Sequence, residues 1–442
     1  MNRILKTFTA ALIAASLVSG CSLLGKGKKA TPTVGDRVSV LVNELEMSVD
    51  DDTAALPMVL PDAVANADWA QSGGNPSKSM GQVALGTALG HAWTASVGQG
   101  TGKAARLGGG PVVAAGKLFT IDTTSTVRAF NAVTGQALWS AQFGTEKGDS
   151  ASLFGGGVAA DGTRVYATNG LGHVAALDAA TGAIVWTVQP AGPLRGGPTV
   201  DGDTLYVMSQ DNQIYSLTTT DGKTNWSAAA ALEIAGVFGS ASPAVGQGTV
   251  VAGFSSGELN AYRYENGRQV WQDALQRTSI TTSVSSLSDI DADPVIDGGQ
   301  VFAVGQGGRM VALELTTGQR LWEANIAGIS TPWVAGEWIF VITDQAKLIC
   351  FSRTNGHIRW INQLPGFENI KKKKGQIDYT GPILAGGRLI VAGSNGALIN
   401  IDPETGSFQS QTGLKAGISV APVVANSTLY VLDDKGQLHA FR

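Results

Sequence analysis

The sequence predicts an all-β fold: an eight-bladed β-propeller of four-stranded antiparallel blades, closed by an N-terminal strand that completes the last C-terminal blade. Three observations predict it. A turn-and-strand pattern recurs at steps of about 38 to 51 residues between its Trp positions, a period that belongs to propellers and similar arrays. Glycine is abundant, 58 of 442 residues, and falls at turns between short apolar runs. The final unit is one strand short, and one Trp-bearing strand near the other end of the chain belongs to no unit.

In chain order, Arg3 and Lys6 precede an apolar run over residues 8–18, too short to span a bilayer as a stable helix. Leu17, Val18, Ser19, Gly20 and Cys21 follow, and this stretch resembles a bacterial lipobox. The resemblance implies removal of residues 1–20 as a signal peptide and lipidation of Cys21. The alternative is an ordinary secretory signal with a chance Cys. Ser22 stands where Asp would signal inner-membrane retention, so the expected location is the outer membrane, lipid-anchored and facing the periplasm. Residues 21–66 mix Lys, Asp and Pro without a core pattern and read as a flexible tether. Residues 67–442 are expected to form the propeller.

One unit shows how a blade is written. Residues 156–160 are a small-residue strand, suited to the crowded centre of a ring. Asp161 and Gly162 turn the chain, residues 165–167 form the second strand, and Asn169, Gly170 and Gly172 mark the next turn. The third strand leads into Asp178, Thr181 and Gly182, where Gly supplies a positive φ, and the fourth carries Trp186. The same joint recurs as Gly135 with Trp139, Gly222 with Trp226, Gly267 with Trp271, Gly318 with Trp322, and Gly356 with Trp360. The seventh copy has Thr405 and Gly406, with Phe408 in place of the Trp. Each Trp is expected to fill the wedge between neighbouring blades. Full units begin near residues 107, 152, 195, 236, 289, 327 and 377. The eighth lacks its outermost strand, and the strand holding Trp93 is expected to supply it, removing the exposed edges.

The net charge is −4, with no basic stripe, which argues against nucleic acid as a partner. The turn resembles that of quinoprotein dehydrogenases, which implies a quinone cofactor, calcium and usually adjacent cysteines. Here the body has one Cys, Cys350, in an apolar strand, so no cofactor and no catalytic residue are expected. His91, His173, His357 and His439 occupy non-equivalent positions without ligand spacing. Asp289, Asp291 and Asp293 resemble the start of a calcium loop, but Pro294 and Gln300 stand where that loop needs Gly and Glu. No metal is expected.

The links between blades vary where the Thr-Gly turns do not. Those over residues 272–290 and 361–379 are the longest, and they lie on the face opposite the turns. A rigid ring presenting unequal loops on one face is a binding platform. Lys371, Lys372, Lys373 and Lys374 in the second link are either a solvated tip or a contact for anionic headgroups or an acidic partner.

A lipobox before eight such units resembles the BamB family, lipoproteins of the outer-membrane β-barrel assembly (BAM) machinery, over roughly residues 87–442. Trp93, Ser96, Val97, Gly98 and Gly100 match the family's entry strand, and Leu287, Ser288, Asp289 and Asp291 match its Leu-Ser-Asp-Val-Asp loop. The resemblance implies a non-catalytic scaffold that binds the periplasmic POTRA repeats of BamA through Leu287, Asp289 and Asp291. It also implies assistance to β-barrel insertion, with nascent outer-membrane proteins as further partners. Otherwise the two Asp residues only cap the loop. The family's Ser-Leu-Arg-Gly contact aligns with residues 234–239, where Val237 and Phe238 stand and Phe replaces Arg. Leu194, Arg195 and Gly196 do occur in that order, but one blade earlier, and the contact is not assigned to them. The runner-up reading is a periplasmic propeller for another envelope ligand such as glycan, and the last a quinone-dependent dehydrogenase.

Overall fold

The computed structural model describes residues 47–145, 156–232, 239–275 and 288–442. Eight four-stranded antiparallel sheets follow one another along the chain. Seven are continuous in sequence, from Val112–Ala114 through Ala137–Gln142 in blade one to Tyr379–Ala385 through Phe408–Gly413 in blade seven. The eighth combines Val423–Ala425, Thr428–Leu432 and Gln437–Phe441 with His91–Ser96. Trp93 pairs with Ala440 and Ser96 with Gln437, so the ring is closed by hydrogen bonds between distant parts of the chain, as the unassigned Trp93 strand predicts.

A lateral row crosses each blade. In blade one Phe119 on the second strand pairs with Ala129 on the third, which pairs with Trp139 on the fourth. The rows Tyr166–Ala176–Trp186, Tyr206–Ser216–Trp226 and Phe302–Ala312–Trp322 repeat this, as does Tyr430–Ala440–Trp93. A small middle residue leaves room for two aromatic rings, whose centroids lie 5.8 Å apart in blade one. Cys350 is the middle residue of Phe340–Cys350–Trp360. It does the work of Ala elsewhere, and burial pushes its thiol pKa up.

Each Trp then reaches the next blade. Trp139 Nε1 donates to Ala179 O (3.2 Å), Trp186 to Thr219 O (3.0 Å) and Trp271 to Leu315 O (2.7 Å). Its ring lies on the Gly of that blade's Thr-Gly turn. A Cβ on Gly182 would sit 2.5 Å from the Trp139 ring, and one on Gly135 would sit 2.5 Å from Trp93. The Gly is therefore required twice, for its positive φ (75° at Gly182) and for the ring above it. The side chain that opens the turn caps it: Asp178 Oδ1 accepts from the amides of Ala180 and Thr181.

The register corrects the reading of blade seven. Asn400 pairs with Ser410, so Ser410 occupies the Trp position and Phe408 lies two residues earlier, 61% exposed. The reason is the clasp. The third and fourth strands of blade eight come from opposite parts of the chain, so blade eight has no Thr-Gly turn for a Trp of blade seven to cover.

Residues 47–86, partly expected as tether, are engaged with the ring. The Asp50 amide donates to Ile358 O (2.9 Å), and a short helix, Asp51–Ala55, lies on the outermost strand of blade six. Arg359 stacks 4.9 Å over Trp338 and donates to Thr53 O (3.3 Å) and Leu56 O (2.5 Å). Residues 64–86 then visit the innermost strand of every blade. Asn66 bonds Val424 O, Trp69 exchanges bonds with Val113, and Ala70 accepts from Ala160. Gln71 bonds Val200, Pro76 accepts from Val245, and Ser77 accepts from Ile296. Gly81 O accepts from Trp333 Nε1 and Val83 donates to Leu384 O. The seven backbone partners are the last or next-to-last residues of their strands, at the turn face, so the segment seals the central opening there. Lys78 is inside this seal, donating to Ser72 O and Thr199 Oγ1 (both 3.0 Å), and burial lowers its pKa to about 8.

Candidate functional site

The link face carries a buried ionic cluster. It starts at Arg195, the second residue of the innermost strand Leu194–Asp201 of blade three, whose side chain is fully buried. Arg195 Nη1 donates to Ser255 Oγ (2.7 Å) in the turn between the second and third strands of blade four. Nη2 donates to Ile290 O (2.8 Å) and reaches Asp289 Oδ1 (3.3 Å) and Asp291 Oδ1 (3.5 Å), in the link that enters blade five. One guanidinium thus spans three blades.

Neighbouring bonds fix the 288–291 link around it. Ser288 Oγ donates to Ser255 O (3.1 Å), the Ile290 amide to Phe254 O (3.2 Å) and the Gln306 amide to Asp289 O (2.9 Å). Gln306 Nε2 donates to Asp291 Oδ2 (2.8 Å). Two carboxylates share one cation out of water. Burial first, and then the negative charge of Asp289, raise the Asp291 pKa above the ordinary carboxylate range, against the pull of Arg195. The arrangement has no nucleophile–base pair; its chemistry is to hold a loop in place.

The predicted site residues fall as follows. Asp289 is 1% exposed and faces inward, and Asp291 is half-buried beside it. Val237, Phe238, Leu287 and Cys21 lie outside the described residues. The described residues that follow Phe238 and Leu287 come together. A Cβ on Gly239, the residue after Phe238, would lie 1.7 Å from Asp291 Oδ1 and 2.7 Å from Arg195 Nη2. The two links singled out in sequence therefore meet at Gly239 and Asp291. Asp293 points elsewhere: its Oδ1 accepts from the Ser242 amide (2.7 Å) and its Oδ2 from Ser72 Oγ (2.5 Å). Lys371, Lys372, Lys373 and Lys374 are exposed on a hairpin of the same face.

Arg195 is the residue that sequence reasoning passed over. The signal was present, since residues 194–196 read Leu-Arg-Gly like the family's contact, but one blade away from the aligned place. In space its buried guanidinium reaches past blade four to Asp289 and Asp291.

Fold and repeat define a β-propeller of the quinoprotein-repeat class, with a structural link-face cluster. The family model described as "Outer membrane protein assembly factor BamB" matches residues 123–362 and 370–442. The chain belongs to the BamB family. Its relatives include the BamB of Yersinia pestis, 26% identical over 355 residues that cover 79% of this chain and 88% of that protein. The Escherichia coli K12 BamB is 27% identical over 354 residues, covering 79% and 88%. The crystal structure of Moraxella catarrhalis BamB superposes with a TM-score of 0.68 at 20% identity, covering 80% of this chain and all of that one. A quinohemoprotein alcohol dehydrogenase from Comamonas testosteroni shares the fold, with a TM-score of 0.66 at 14% identity over 88% of this chain and 82% of that one. The matched relatives are named as assembly factors rather than enzymes.

Proposed function

We propose that the chain is a non-catalytic scaffold of the outer-membrane protein assembly complex, binding BamA and aiding insertion of β-barrel proteins. It works from the periplasmic side of the outer membrane, anchored through lipidated Cys21. The observation that carries this reading is the approach of Gly239 and of Asp289 and Asp291 to the same buried Arg195, on the face where the repeat is irregular. Val237, Phe238 and Leu287 supply the contact with the POTRA repeats. Asp289 and Asp291 act one step back, holding the links through Arg195. This assigns the two Asp residues a positioning role, in keeping with the burial of Asp289.

The test is a pull-down of the mature chain with the periplasmic region of BamA. Wild type is retained. Phe238→Asp with Leu287→Asp reduces retention at least tenfold while thermal unfolding stays unchanged, as expected for apolar interface anchors. A wild-type chain that is not retained overturns the proposal. Mass spectrometry of the mature N-terminus checks the anchor separately: an unmodified Cys21 rules it out.

A further inference from the structure

The link between blades six and seven is a small hairpin of its own. Phe367–Asn369 pairs with Lys374–Gln376, joined by a single 3-10 turn, Ile370–Lys372. Its base is firmly held. The Ile377 amide donates to Gly366 O (3.0 Å), Tyr379 OH donates to Pro365 O (2.9 Å), and Leu364, Ile377 and Tyr379 are buried. Its tip is also ordered, since Asn369 Oδ1 accepts from the Lys372 amide (3.0 Å) and Lys373 takes the left-handed conformation with φ 48°. From Gly366 to Ile370 the arm extends roughly 13 Å.

The arm carries an unusual combination. Lys371, Lys372, Lys373 and Lys374 are consecutive and exposed, on a chain of net charge −4. Among the described residues no ion pair involves them. Ile370, 69% exposed, stands beside them at the apex. The local acids are few: Glu368 on the hairpin, and Asp378 and Asp344 near its base. An apolar tip ringed by cations suits a surface that offers phosphate at its face and hydrocarbon just beneath. An acidic protein would satisfy the lysines but not the exposed Ile.

A second observation points the same way. Among the described residues, the N-terminal segment begins at Met47 on blade six, where Asp50 bonds Ile358 and the Asp51–Ala55 helix lies on the outermost strand Ile358–Gln363. The hairpin springs from the end of that same strand. The first described residues of the chain and the basic arm therefore share one blade of eight.

We propose that the 366–377 hairpin docks on the anionic phosphate surface of a lipid bilayer, turning the blade-six side of the ring toward the membrane. The orientation rests on the lipid-anchor reading of Cys21; the docking does not. Each Lys close to an anionic surface is worth about fivefold in binding.

The experiment uses the mature chain carrying Cys21→Ser, so that vesicle binding is independent of acylation. Co-sedimentation is measured with vesicles of phosphatidylethanolamine and phosphatidylglycerol (70:30) and with pure phosphatidylcholine. Binding is expected only to the anionic vesicles, weakening as salt rises. Lys371→Glu with Lys373→Glu is expected to bind at least tenfold more weakly, and Ile370→Ser about threefold. Lys117→Glu with Lys223→Glu, the same charge change on the turn face, should bind as wild type does. The hairpin variant binding like wild type, the control pair losing as much as the hairpin pair, or no binding of wild type to anionic vesicles would each overturn the proposal. Capture of the arm by an acidic protein without vesicle binding would overturn it as well.

Discussion

The two faces of the ring are built by opposite rules. On the turn face every full blade repeats one joint: a capped turn, a Gly with positive φ, and the previous blade's Trp on top of it. Residues 64–86 then tie together the strand ends of all eight blades. On the link face the connections vary in length, one Arg spans three blades, and a basic arm stands clear of the body. The contrast teaches that repetition marks what geometry demands of every blade. The departures mark what this chain alone must do.

The comparison can be broken first at Arg195. Arg195→Met leaves two buried carboxylates without their cation and should cost about 3–5 kcal/mol. Denaturant unfolding checks this, and Asp289→Asn with Asp291→Asn in the same chain should restore most of the loss. The wild type carries a pH signature too. Asp291 has a folded pKa raised above its unfolded value, so the folded state binds the extra proton. Its penalty is full only above the folded pKa of about 7, and is progressively relieved as pH falls from there toward the ordinary carboxylate range. Asp291→Asn removes that relief.

The turn face is sharpened by a pair of glycines. Gly182 and Gly162 both have positive φ, 75° and 91°, but only Gly182 lies under a ring, and a Cβ on Gly162 meets nothing within 4 Å. Both Ala substitutions pay for the backbone; Gly182→Ala should cost about 2 kcal/mol more. Thermal unfolding of the two variants isolates the joint, and equal losses would deny the Trp139 contact any role.

The smallest effect is expected at the seal. Lys78 has a folded pKa lowered to about 8, so between there and its unfolded value the unfolded chain binds more protons. Stability from this group therefore rises as pH climbs from about 8 to 10. Lys78→Met should change stability by less than about 1 kcal/mol at pH 7 and abolish that rise, measured by urea denaturation at pH 7 and 9.5.

Most of the fold was legible because a repeat shows its own errors. The unit with a missing strand pointed to Trp93, and the pairing with Ala440 bears that out. The misplaced emphasis on Phe408 came from matching aromatic residues by type. Counting four residues from the turn Gly, as in every other unit, reaches Ser410. Residues 64–86 were illegible for a physical reason. Seven of their eight partners are backbone groups, the exception being the Trp333 ring N–H, and backbone bonds leave no periodic trace in side chains. The Arg195 cluster was half legible: the two Asp residues stood out by motif, but which cation reaches them depends on side-chain direction across an intervening blade.

One consequence follows from the clasp. Thr94 and His439, 345 positions apart, touch across it. Closing a loop of that length carries a large entropic cost, and in a chain made from its N-terminus the closing partner arrives last. Until then the His91–Ser96 strand is an open edge and Gly135 lacks the Trp93 ring above it. A chain broken before Gln437–Phe441 stays an arc rather than a circle, however well its other blades have formed. Closure thus makes the last blade depend on two strands from distant parts of the chain, His91–Ser96 and Gln437–Phe441.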